Sequence, residues 1–143
     1  MLIEELITSI GREQRFLCIT RPRRFGKTVM ANMVASYFGK AIDSSFVFEH
    51  LAIAKSPVYE KYINKYDVIY IDFSRLPENC QTYEEYINRI KTGIKEDLLE
   101  EFPELELKEG MSLWDILAKI FQKTNRKFMF IMDEWDAVFH MPF

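Results

Sequence analysis

The chain has 143 residues, of which 48% are hydrophobic and 29% charged, with a formal net charge of -3. That balance excludes a disordered polymer, and the acidic excess excludes a protein that coats nucleic acid through bulk charge, so any anion binding has to be local. The length suits one unit with a real core, and no repeat, low-complexity tract or Gly/Ser linker divides residues 1–143.

Taken in order, the first residues, Met1 to Glu5, carry acids rather than a basic leader. No apolar stretch approaches membrane-spanning length, and the expectation is a cytoplasmic protein with no membrane partner. Arg15 to Thr20 (RFLCIT) is a short apolar run, expected as a buried strand with Cys18 as a buried thiol. Cys18 and Cys80 stand far apart and make neither a metal nor a redox motif. From Lys27 the period becomes helical, with Met30, Met33, Val34, Tyr37 and Phe38 on one face, and Gly39 is expected to end the helix in a left-handed cap.

Ser56-Pro57 opens a short helix, and Asp67 to Phe73 (DVIYIDF) reads as the second strand. Thr82-Tyr83-Glu84-Glu85 is a capping box for a long helix with Tyr83, Tyr86, Ile87, Ile90, Ile94 and Leu98 on one face, ended by Pro103. Ser112 to Asp115 begins a further helix with Ile116, Leu117, Ile120 and Phe121 expected to be buried. Lys127 to Met132 (KFMFIM) is the third strand and runs directly into Asp133-Glu134. Strands alternating with helices imply a parallel sheet covered on both faces, an α/β fold.

Two strand ends carry chemistry. Gly26-Lys27-Thr28 is the tail of the phosphate-loop pattern G-x-x-x-x-G-K-[ST], with Arg21 where the first glycine belongs. Such a loop curls backbone N–H groups around an anion, aided by the following helix's positive end. Lysine reaches the terminal phosphates, and the hydroxyl holds magnesium. The second end is Asp133-Glu134 after an apolar strand. An acid there suits a hydrated magnesium ion, and the following glutamate suits an attacking water. Arg21, Arg23 and Arg24 fit either phosphate or nucleic-acid contacts, or ion pairs with the chain's own acids. His50 and His140 lack partners at metal-ligand spacing, and Trp135 reads as packing.

Arg21-Pro22-Arg23-Arg24-Phe25-Gly26-Lys27-Thr28 and Ile131-Met132-Asp133-Glu134-Trp135-Asp136 together resemble the prokaryotic AAA-ATPase-like family over nearly the whole chain. The arginine-proline opening in place of glycine resembles the family's own loop, and Pro22 suits it by fixing the path into the turn. The resemblance implies a P-loop NTPase of three-layer α/β/α architecture, using ATP and Mg2+ and often fused to a restriction-nuclease-like domain. It implies nucleotide contacts from Arg23, Arg24, Phe25, Gly26, Lys27 and Thr28, magnesium held by Thr28 and by Asp133 through water, and Glu134 as the catalytic base or water-positioner. Asp136 matches the family's last acid without a role that its chemistry dictates.

Resembled ATPases continue past this point with a polar sensor strand and a helical lid, so residues 1–143 are read as the N-terminal part of the ATPase domain. In that class the strand between the phosphate-loop strand and the Asp-Glu strand comes later in sequence. The expected activity is ATP binding with Mg-dependent hydrolysis. The alternative is a nucleotide-gated module that switches a partner or fused nuclease domain with little turnover. Self-association and indirect nucleic-acid contact are the further partners this reading leaves open.

Overall fold

The structure, a computed structural model, describes residues 2–13, 15–20, 26–75, 80–108 and 110–141. It opens on a helix, α1 (Leu2–Ser9), whose buried face is Ile3 and Ile7, one turn apart. The second helix, α2 (Lys27–Phe38), buries Val34, Tyr37 and Phe38 as the spacing requires. It stops at Gly39, but with φ -65° and ψ 130°, so the left-handed cap expected there is corrected to extended backbone. Glycine is needed for room instead: a Cβ would lie 2.7 Å from the Ala35 carbonyl oxygen, to which the Gly39 N–H donates.

Two short helices, α3 (Ser45–Phe48) and α4 (Tyr59–Tyr62), flank a 3-10 turn at Ala52–Lys55. The Ser56 carbonyl accepts from Tyr59 N at 3.0 Å, so the Ser-Pro turn leads into α4 rather than forming its first turn. Strands β1 (Asp67–Asp72) and β2 (Phe128–Asp133) form at the expected places and pair in a parallel two-stranded sheet. A parallel bridge between Gly39 and Tyr66 lies just ahead of β1.

Between the strands run α5 (Tyr83–Glu101) and α6 (Leu113–Thr124). Thr82 caps α5 by accepting from Glu85 N at 3.1 Å, while the Glu85 carboxylate takes the N–H of Gln81 at 2.8 Å. Ser112 caps α6 in the same way, accepting from Asp115 N at 3.1 Å. On α5 Tyr86 and Leu98 are buried while Tyr83 is exposed; on α6 Ile116 and Ile120 are buried while Phe121 is exposed. Tyr83 and Phe121 therefore leave the apolar faces assigned to them, each lying at the rim of its stripe.

Arg15–Thr20 is corrected outright. It forms no strand, all six residues are exposed, and Phe16 is 85% accessible, so Cys18 is an exposed thiol rather than a buried one. A strand exists through its ladder, and among the described residues this run is paired with neither β1 nor β2. The fold is thus α/β with a small parallel sheet.

The chain divides into two compact units, Met1–Tyr70 with Met129–Asp133, and Ile71–Phe128 with Glu134–Phe143. In the first, Tyr37 and Phe38 are wholly buried, and Tyr37 packs edge-on against Phe48 at 5.2 Å between centroids. Ile3, Ile7, Ile53, Tyr59 and Ile63 close this core, with Val68, Met129 and Ile131 from the strands packed on it. In the second, Leu98, Phe102, Ile116 and Ile120 form the core, and the Arg126 guanidinium lies 4.3 Å over the Phe102 ring.

Candidate nucleotide site

Gly26 stands just before α2 at φ 72° and ψ 29°, the left-handed region that glycine enters without a Cβ clash. Its carbonyl accepts the first helical bond, from Met30 N at 2.9 Å. Glycine has no side chain to cap the helix, and no acid stands in the first turn. The positive end of a three-turn helix is therefore not offset by a side chain of its own first turn. Lys27 is half-buried and Thr28 exposed at that end. Arg23, Arg24 and Phe25, with Arg21 and Pro22, lie outside the described residues.

At the other candidate position, β2 ends on Asp133, which is 7% exposed. Its Oδ2 accepts a hydrogen bond from the Tyr70 hydroxyl at 2.9 Å, reaching from β1. Glu134 follows at φ 52° and ψ 34° and opens a 3-10 helix, Trp135–His140, whose Ala137 N donates to the Glu134 carbonyl at 2.9 Å. A left-handed conformation is uncommon for a residue other than glycine, asparagine or aspartate, and it turns the chain sharply at the strand's end. Trp135 meets Phe139 edge-on at 6.1 Å, and both rings remain largely exposed.

Other polar side chains resolve into local structure. Asp72 accepts from both the N–H and the hydroxyl of Ser74, at 2.9 and 2.6 Å, and pairs with Arg75 at 3.3 Å. The Ser74 hydroxyl foremost, then its N–H and the Arg75 charge, hold the Asp72 carboxyl below the usual carboxylate range. It closes its own turn. His50 is exposed and lies 3.2 Å from Glu49, and His140 is exposed in the 3-10 helix. Gly26, Lys27, Thr28 and Asp133 all belong to the first unit, whereas Glu134 is counted with the second. The contact with Tyr70 is the feature that sequence reading missed, because it joins residues 63 positions apart.

A family model described as predicted AAA-ATPase matches residues 4–141. The chain belongs to the AAA-ATPase-like family. No curated protein and no solved structure matches it. The match spans both Gly26-Lys27-Thr28 and Asp133-Glu134, and membership of this family implies nucleotide binding.

The donor chemistry fits magnesium. Among the described residues no group of three or more His, Cys, Asp or Glu could hold a metal by itself. Magnesium at nucleotide sites takes only one or two protein oxygens beside phosphates and waters, and the Thr28 hydroxyl and Asp133 carboxylate are hard oxygens of that kind. Among the described residues no helix is long and apolar enough to cross a membrane.

Proposed function

We propose that residues 1–143 carry the phosphate-binding part of a AAA-like P-loop ATPase, a three-layer α/β/α fold that binds ATP with Mg2+ and cleaves the terminal phosphoanhydride. The observation that carries this reading is the start of α2: a left-handed glycine, then Lys27 and Thr28, opening a helix with no acid in its first turn. The family match over residues 4–141 supports the same assignment.

On this reading Arg23, Arg24, Phe25 and Gly26 would contribute nucleotide contacts, and the Lys27 ammonium would donate to the terminal phosphate oxygens. Thr28 and Asp133 would hold the magnesium ion. When bound, the ion offsets negative charge shared between the terminal phosphates. Glu134 orients a water and accepts its proton as the oxygen–phosphorus bond forms and the bond to the departing ADP breaks.

Lys27→Ala tests the site. In calorimetric titrations at matched magnesium, it should weaken ATP binding by about 10-fold or more, because a charge-assisted contact to phosphate is lost. AMP, which lacks the terminal phosphates, should lose little. Equal affinity of wild type and Lys27→Ala for ATP would overturn the proposal.

A further inference from the structure

We infer that Tyr70 is a positioning residue that orients the magnesium-binding carboxylate of Asp133, an inference that rests on the nucleotide reading above. Asp133 is 7% exposed, and a carboxylate withdrawn that far from water requires hydrogen-bond donors from the protein. Tyr70 supplies one, its hydroxyl 2.9 Å from Oδ2. The donor and acceptor stand on the paired strands β1 and β2, so the ladder sets their spacing before any ligand arrives.

The type of donor matters as much as its place. A lysine or arginine here would bring a positive charge and compete with a cation for the carboxylate. A phenol donates a hydrogen bond without that charge, so it orients the carboxyl group and does not itself neutralise it. Outer partners of this kind fix the geometry of a metal-binding side chain without touching the metal.

Tyr70→Phe removes the hydroxyl and keeps the ring. The decisive quantity is the gain in ATP affinity on adding magnesium, measured calorimetrically on the 143-residue chain with ATP in magnesium buffer and with ATP in EDTA. Tyr70→Phe should reduce that gain by about 10-fold, the scale on which outer partners act on metal affinity. Binding in EDTA should be unchanged, and Tyr70→Phe added to Asp133→Asn should cost nothing more. An unchanged magnesium gain overturns the inference. So does an equal loss with and without magnesium, which would make the hydroxyl a brace of the fold alone, and so does an effect that persists in full beside Asp133→Asn. If wild type itself gains nothing from magnesium, the nucleotide reading fails first and takes the inference with it. That outcome is visible before any variant is made.

Discussion

At its C-terminal end α2 runs into a dense set of bonds from a single side chain. Asn64, at φ 52°, donates its amide to Gly39 O at 2.6 Å, with Ser44 Oγ at 3.0 Å and Ile42 O at 3.1 Å also in reach. Two amide hydrogens cannot serve all of these fully, so the short contact to Gly39 dominates and the others share the second hydrogen. The Asn64 backbone N–H adds a bond to Tyr37 O at 2.8 Å, and Tyr66 N donates to Phe38 O at 2.8 Å. At its N-terminal end the same helix has Gly26, no side-chain cap and no acid. One end has its carbonyls satisfied by the protein. The other presents a positive end that an anion would complete. The contrast separates residues that hold the helix from the end proposed to meet a ligand.

The sharpest way to break this contrast is Asn64→Ala. It removes the donors that satisfy the Gly39 and Ile42 carbonyls and puts alanine at a positive φ, and it should destabilise the protein by about 3 kcal/mol in urea unfolding. Asn64→Gly should recover about 1 kcal/mol of that, the backbone part. A loss below about 1 kcal/mol for Asn64→Ala would mean that water replaces these bonds at no great cost.

Gly39→Ala comes next. The new Cβ would meet the Ala35 carbonyl oxygen at 2.7 Å, a backbone atom that cannot swing away, so the cost should be about 2 kcal/mol by the same assay. Gly26→Ala would not sharpen the point, since its cost is one of φ rather than of space.

A third test uses pH. Burial foremost, with the neighbouring Tyr59, Glu4 and Glu60, pushes the Tyr37 phenol up to about 12. The phenols of Tyr59 and Tyr66 are also raised, again chiefly by burial. The folded state favours the neutral phenol, so this stability is complete below the ordinary tyrosine value of 10.0 and is lost as pH rises from there toward about 12. Melting temperature should fall across that window, and Tyr37→Phe should make the fall shallower. An unchanged slope would show that Tyr37 does not govern it.

The smallest effect is expected at the opposite end of the helix. Lys27→Ala and Thr28→Ala should change unfolding free energy by no more than about 0.5 kcal/mol, even where they abolish ATP binding. A large loss of stability from either would erase the distinction between the two ends.

Much of the secondary structure was legible in the sequence because its signals are local. Thr82 and Ser112 start helices through bonds to residues three positions on, and the apolar runs at Asp67–Asp72 and Phe128–Asp133 became strands. The helix at Leu2–Ser9 stood outside the sequence expectations, although Ile3 and Ile7 lie one turn apart on its buried face. The candidate site was legible only in its residue types: Gly26, Lys27, Thr28 and Asp133 follow a motif, and the motif says nothing of what Asp133 leans on.

By itself the sequence determined helix starts, apolar faces and the identity of the candidate phosphate and metal contacts, since caps and periodicity act within one or two turns. Tertiary structure alone decided the rest. RFLCIT and FMFIMD are both six-residue stretches made mostly of apolar residues, yet only the second became a strand. A strand's hydrogen bonds belong to its neighbour, and β2 found one in β1. For the same reason Tyr70 could not be assigned to Asp133, nor Asn64 to Gly39, from their own surroundings. These bonds cross 63 and 25 positions of chain, and they exist because packing brings two distant segments to within 3 Å of each other.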